Sequence, residues 1–134
     1  MSGERDLARL LASLNVTARA GEFAFVARPA ADPALATLAL AMVTEDEGIT
    51  YVLPCEVADA RGLPYDFRAA WLTLGVHSAL DAVGLTAAFA NALAQRGIAC
   101  NVLAGFHHDH LLVPADRRDD ALAVLAGLAR DGHA

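Results

Sequence analysis

Residues 83–114 read VGLTAAFANALAQRGIACNVLAGFHHDHLLVP, and this stretch decides the fold. Its first part repeats apolar residues at the spacing of one helix face: Leu85, Ala88, Phe89, Ala92 and Leu93. That spacing predicts a helix over residues 83–96, and Gly97 is placed to end it. The remainder predicts a strand over 98–106, a turn over 107–109 and a returning strand over 110–113.

The flanking sequence extends this unit in both directions. Before it, Leu72, Leu74 and Val76 fall at alternate positions, which predicts a strand over residues 68–77. After it, Asp116 is placed to cap a final helix over 117–130. The second half therefore has the β-α-β-β-α order of a ferredoxin-like unit. A ferredoxin-like unit ends in a further strand, but only four residues follow the last predicted helix. We therefore expect the two halves of the chain to complete each other's sheets.

The first half is less regular. Its pattern predicts a short helix over 7–15, a strand over 22–28 and a connection through the proline-containing stretch ARPAADPALA at residues 27–36. Two apolar runs, 38–43 and 49–53, then predict a hairpin around the acidic turn 44–48, followed by a helix over 55–61. A clear β-α-β opening is not predicted here.

A weak internal repeat relates the two halves. Val52-Leu53-Pro54 matches Leu112-Val113-Pro114 at an offset of 60 residues, and each is preceded by a turn and followed by a predicted helix. Chance is the alternative explanation, because a strand followed by proline and a helix is a common construction. We therefore expect an N-terminal half over 1–66 and a C-terminal domain over 67–134.

Composition limits the classes of function. With 56% apolar residues in 134, the chain can enclose one core or two small half-domains that share a sheet. The formal charge is −6 and the ten basic residues are scattered, which argues against a nucleic-acid partner. Cys55 and Cys100 lack metal-site spacing, and the sequence shows neither a signal core nor a membrane span, so the expected setting is cytoplasmic.

Two short motifs resemble those of ACT domains. Ala82-Val83-Gly84-Leu85-Thr86 resembles the Gly-Leu or Gly-Ile at the start of the family's first helix, and Leu93-Ala94-Gln95-Arg96-Gly97-Ile98 resembles its passage into the second strand. More broadly, TEDEGITYVLP, VHSALDAVGLTAAFANALA and RGIACNVLAGFHHDHLLVP are similar to a group of small bacterial proteins built from two ACT-like halves. The resemblance implies an α+β, ferredoxin-like ACT fold, with antiparallel sheet covered by helices on one face.

A more distant resemblance runs to the ACT domains of animal cytosolic arginine sensors. It implies a small ligand, an amino acid, between the loop at the helix start and an aspartate before the last strand. On this resemblance, Gly84 and Leu85 would offer backbone groups to the ligand carboxylate, and Asp109 would face its ammonium. The full predicted ligand site comprises His77, Ser78, Val83, Gly84, Leu85, Thr86, Asn101, His107, His108 and Asp109.

Other interpretations of these residues remain open at this point. Gly84 could serve only helix packing, and a cap could be all that Ser78 provides. The run His107 to His110 could hold a metal ion, although adjacent turn residues point in different directions and a closed site needs three or four ligands. The chain could instead be a protein-interaction module without a ligand.

Catalytic patterns are not evident in the sequence. It shows no supported Ser-His-Asp or Cys-His pattern, no phosphate loop and no dinucleotide fingerprint. The sequence therefore predicts a regulatory module without catalytic residues, cofactor or metal, acting as a homodimer on a small ligand.

Overall fold

The computed structural model describes residues 6–76 and 83–131 of the chain. The helices are α1 (Leu7–Ala12), α2 (Pro33–Leu38), α3 (Cys55–Ala60), α4 (Leu85–Gln95) and α5 (Arg118–Asp131). The strands are β1 (Val16–Arg28), β2 (Ala41–Glu45), β3 (Gly48–Pro54), β4 (Arg68–Leu74), β5 (Asn101–Ala104) and β6 (Asp109–Pro114). A short 3₁₀ turn, Ala115–Arg117, leads into α5.

The chain divides into two compact units. The central unit is Ala20–Ala69, and the terminal unit combines the described residues up to Arg19 with those from Ala70 onward. Both β1 and β4 contribute residues to each unit. The division expected from the sequence, at residues 66 and 67, remains a prediction about domain organisation.

The terminal unit has the strand order β1-β4-β6-β5. β5 and β6 pair antiparallel, with Leu103 opposite His110. The start of β1 lies beside β4, and next to it the Gly75 N–H donates to the Asn15 carbonyl at 2.6 Å. An N-terminal segment therefore supplies the fourth strand of this ferredoxin-like unit.

Helices α1, α4 and α5 pack against one another in the terminal unit. Their inward side chains share one core with the alternate residues of β4 and β6: Leu10, Leu72, Leu74, Leu85, Phe89, Leu93, Leu111, Val113 and Leu125. Burial of these side chains supplies the main stabilisation of the unit, because each large aliphatic or aromatic side chain contributes roughly 1.5–3 kcal/mol when removed from water. The amphipathic helix predicted over 83–96 is confirmed as α4.

The central unit has the strand order β2-β3-β1, and both strand pairs are antiparallel. Its core contains residues from the strands and from both of its helices: Ala24, Val26, Leu35, Tyr51, Leu53, Cys55 and Ala58. Gly48 begins β3 with a φ of +148°, and a Cβ there would collide with the Arg28 carbonyl oxygen. The hairpin after β2 thus requires glycine at this position.

Three expectations for the first half are wrong. The stretch treated as a connection contains α2, where Pro33 takes the first helical position and the Asp32 carboxylate accepts from the Ala34 and Leu35 N–H groups at 3.0 and 3.3 Å. A β-α-β opening therefore exists. The strand predicted over 38–43 is instead β2, Ala41–Glu45, since α2 uses residues up to Leu38.

Candidate functional site

The start of α4 is the first part of the predicted site. Gly84 is its N-cap and has a left-handed φ of +102°. No side chain in the described chain caps this helix, whereas Asp6 and Asp32 cap α1 and α2 through their carboxylates. Among the described residues, no side chain therefore caps the first N–H groups of α4, and free N–H groups at a helix start bind anions well.

Gly84 also serves packing. A Cβ at this position would lie 3.1 Å from Leu7 Cδ2. Its neighbours differ in exposure: Leu85 is buried in the core, whereas Val83 is 84% exposed and Thr86 is also exposed. Because the Leu85 side chain is buried, only its backbone groups are available to a ligand, and its role in binding stays a prediction.

His77 and Ser78 lie outside the residues that the structure describes. Their predicted roles in binding remain predictions. The described chain resumes at Val83, one residue before the N-cap of α4.

The turn between β5 and β6 is the second part of the predicted site. The Gly105 N–H donates to the His108 carbonyl at 2.9 Å, which closes the turn. His108 Nδ1 lies 3.2 Å from the Val76 carbonyl oxygen, and because a carbonyl only accepts, the ring must donate. The turn is therefore tied to the segment that follows β4.

Asp109 begins β6 and is half-buried. Burial raises the pKa of its carboxyl group, and the neighbouring His110 and His108 lower it, with burial the larger effect. An ionised carboxylate that has lost part of its hydration is stabilised by an added cation. This position suits an ammonium group electrostatically.

His110 belongs to a hydrogen-bonded cluster on β4 and β6. The Trp71 indole N–H lies 3.2 Å from Thr73 Oγ1 and 3.3 Å from His110 Nδ1, and the Thr73 hydroxyl lies 2.9 Å from the same ring nitrogen. Since an indole N–H only donates, His110 Nδ1 must accept. The Arg19 guanidinium stacks over the Trp71 ring at 5.4 Å.

Sequence reasoning did not predict that Trp71 and Thr73 contact His110, the residue that follows Asp109. The alternation of β4 placed Trp71 and Thr73 on one face, but only the pairing of β4 with β6 brings His110 to them. A signal was present in the parity of β6, where His110 has the opposite orientation to Leu111 and Val113.

The remaining predicted residues are dispersed around the turn. Asn101 is exposed on β5, where its amide Nδ2 lies 3.5 Å from the Leu112 carbonyl oxygen. His107 is exposed and meets Phe106 edge to face at 5.2 Å between ring centroids. Neither contact supplies a group aimed at a common point with Asp109.

The histidine run does not assemble a metal site in the described chain. Within residues 6–76 and 83–131, no three His, Cys, Asp or Glu side chains are placed to hold a metal ion. The rings of His108 and His110 use their Nδ1 atoms for Val76 and for Trp71 and Thr73. The two rings are therefore held by different residues, His108 by the segment after β4 and His110 by β4 itself.

Acidification is expected to destabilise the terminal unit through His110. Burial, aided by His108 and Arg19, lowers the pKa of His110 below its usual 6.5, with Asp109 opposing. The unfolded chain therefore takes up a proton first, and the free energy of unfolding falls as the pH decreases through about 6.5. Urea unfolding at several pH values, followed by the single Trp71, measures this slope. His110→Gln should reduce it, whereas His107→Gln should not; an unchanged slope in His110→Gln contradicts the assignment.

Comparison with known proteins identifies the family. Two family models match the chain, one over residues 2–70 and the other over 67–127, and both describe an ACT domain. The chain belongs to the ACT domain family. The family and the ferredoxin-like α+β fold predicted from the sequence are confirmed.

Several solved structures are similar to this ACT protein, and three of them range in sequence identity from 40% to 9%. A Vibrio cholerae protein of unknown function, described as a possible transport protein, is 40% identical with a TM-score of 0.84, over 92% of this chain and 95% of that one. An Agrobacterium tumefaciens protein is 20% identical with a TM-score of 0.70, over 87% and 89% of the two chains. The ligand-free regulatory subunit of aspartate kinase from Thermus thermophilus is 9% identical with a TM-score of 0.61, over 84% and 94%.

The comparison with curated proteins finds no match for this ACT protein. Its similarity to the aspartate kinase regulatory subunit, at 9% identity, shows the fold alone. Among the helices in the described part of the chain, none has the length and apolar character needed to cross a membrane.

Proposed function

We propose that this ACT protein is a non-catalytic regulatory module that binds an amino acid through the start of α4 and Asp109. The ligand carboxylate accepts from the first N–H groups of α4, and its ammonium pairs with Asp109. Of the other predicted residues that the structure describes, Asn101 and His107 lie beside the ligand and do not bind its charged groups.

The half-buried carboxylate of Asp109 carries this proposal. In the described chain the titratable groups that act on it are the histidines on either side, His108 and His110, which lower its pKa by less than burial raises it. A ligand ammonium would relieve the unfavourable burial of the ionised carboxylate, which is a source of binding energy that a purely structural residue would not need.

The start of α4 supplies the complementary half of the proposal. An amino-acid carboxylate needs donors, and α4 begins at a left-handed glycine with no capping side chain in the described residues. In the first half, by contrast, the Asp32 carboxylate already accepts from the N–H groups of α2 and the Tyr51 hydroxyl accepts from the Asp32 N–H at 2.8 Å. We infer that the C-terminal domain holds the ligand site and that the equivalent position of the first half is filled by Asp32.

Thermal unfolding with each of the twenty amino acids tests the function. A ligand that binds only the folded chain stabilises it by RT ln(1 + [L]/Kd), about 2.7 kcal/mol at a concentration of 100 Kd. We expect one amino acid or a small chemical class of them to raise the melting temperature in proportion to the logarithm of its concentration. If none raises it at millimolar concentrations, the amino-acid proposal fails.

A protein-interaction module is the second candidate, and β2 favours it. β2 is the outer strand of the central unit. Its residues Met42 and Val43 point to opposite faces of the sheet, and their side chains are 53% and 44% exposed. An outer strand with exposed apolar residues on both faces is prone to pair with another strand.

We propose a homodimer through this edge, in a cytoplasmic setting that suits the free thiols of Cys55 and Cys100. Sedimentation over a range of protein concentrations tests the dimer independently of any ligand.

A further inference from the structure

A cleft of about 530 Å³ opens on the terminal unit, between the end of α1 with the start of β1 on one side and one face of α5 on the other. The volume falls in the range of small-molecule sites. Among the described residues proposed for amino-acid binding, Gly84 and Asp109 included, none lines it. The cleft is therefore a candidate site separate from the one at the start of α4.

Apolar side chains form most of the walls of this cleft. Leu14 and Leu125 are buried, whereas Val16 and Leu122 are half-buried. Half-buried aliphatic groups on a concave surface keep part of their area in water, and an apolar ligand removes that area from water. The walls therefore favour a ligand with an apolar body.

Charged ligands do not suit this lining. The lining residues that the structure describes include no acidic side chain that could pair with a cation. Arg130 belongs to the lining, but it already has an interaction partner, and its Nη2 atom lies 3.5 Å from the position that a Cβ would take at Gly127, outside the lining. An anion in the cleft would lose hydration without gaining a free cation. A neutral ligand therefore fits the cleft better than an ion.

Asn15 supplies the available polar group of the lining. Its side chain lies directly over Gly75, because a Cβ at Gly75 would collide with the Asn15 amide. The Gly75 N–H also donates to the Asn15 carbonyl at 2.6 Å, which fixes the backbone of Asn15 between α1 and β1. The Asn15 amide is exposed and makes no hydrogen bond to another described residue. It therefore offers a ligand both a donor and an acceptor from a fixed position.

We propose that this cleft is a second binding site, for a neutral small molecule with an apolar chain and a carboxamide head. The chain packs on Leu14, Val16 and Leu125. The head forms a reciprocal pair with Asn15, in which Oδ1 accepts from the ligand N–H and Nδ2 donates to the ligand carbonyl. A carboxamide that leaves water needs a partner for its donor and for its acceptor, and an asparagine side chain supplies both.

Calorimetric titration with octanamide tests the site, and octanoate and octylammonium serve as charged ligands of the same chain length. We expect octanamide to bind more tightly than either ion, because a charge buried without a partner is unfavourable. Asn15→Ala removes the paired amide and should raise the Kd for octanamide about fivefold or more, since two hydrogen bonds are lost. Ala126→Phe adds a ring to the lining and should abolish binding.

Ala123→Phe is the matched control, because Ala123 is an exposed residue of the same helix that does not line the cleft. It should leave the Kd for octanamide unchanged, and circular dichroism of each variant verifies that the fold is intact. Octanamide carries neither an ammonium nor a carboxylate, so this proposal and the amino-acid proposal can each fail alone. The proposal is overturned if octanamide does not bind, if octanoate or octylammonium binds as tightly as octanamide, or if either Asn15→Ala or Ala126→Phe binds octanamide as the wild type does.

Discussion

Replacing Asp109 with asparagine is expected to abolish most of the amino-acid affinity while leaving the unliganded protein at least as stable as the wild type. Removing one partner of a buried charge pair costs about 2–5 kcal/mol, so the Kd should rise about thirtyfold or more. Burial raises the pKa of the Asp109 carboxyl group, which means that its ionised form destabilises the unliganded fold at neutral pH. Asparagine keeps the size and removes that charge.

The combination of these two effects distinguishes a binding residue from a structural one. Isothermal titration with the amino acid that raises the melting temperature measures the affinity, and thermal unfolding without ligand measures the stability. Asp46→Asn is the matched control, because Asp46 is an exposed residue at the hairpin of the central unit. Equal ligand affinity in Asp109→Asn and the wild type would remove Asp109 from the site.

The pH dependence of Asp109 has a definite sign. Its folded pKa lies above its unfolded value, so the folded chain holds the proton to higher pH than the unfolded chain. Its contribution to the free energy of unfolding is therefore full below the unfolded pKa and is lost as the pH rises through the folded pKa. Asp109→Asn should remove this loss.

Truncating Phe89 to alanine is expected to lower the free energy of unfolding by about 3–5 kcal/mol. The Phe89 side chain is completely buried in the core where α4 meets β4, β6 and α5. Alanine loses the transfer free energy of the ring and leaves a cavity that the surrounding helices only partly fill. Since domains are typically stable by 5–15 kcal/mol, this loss is a large fraction of the total.

Chemical denaturation followed by Trp71 emission measures the effect. Phe89→Leu is the matched control and should cost clearly less, because leucine keeps most of the buried volume. Ala87→Gly, at an exposed position of the same helix, separates core packing from helix propensity and should cost only about 1 kcal/mol. A loss below about 1.5 kcal/mol in Phe89→Ala would mean that α4 is not held by this core.

The amphipathic spacing of residues 85–93 predicted α4, its buried face and its end near Gly97, because helical periodicity is a local property of the chain. The helix over Pro33–Leu38 was missed for an equally local reason. Asp32 and Pro33 have the composition of a turn, and that same pair caps and starts a helix. Six residues are too few for a periodic pattern to decide between the two.

The candidate site also combines features that the sequence predicts with contacts that only the tertiary structure shows. The sequence by itself indicated the ACT family, because the motifs at the helix start and before the last strand are local. On that resemblance it also gave Gly84 and Asp109 as ligand-binding residues, which stay predictions. Only the tertiary structure decided that Val16–Arg19 supplies the fourth strand of the terminal unit, that His110 meets Trp71, and that Asn15 lies over Gly75. These contacts join residues far apart in the chain, and strand order and packing create them; no local pattern encodes them.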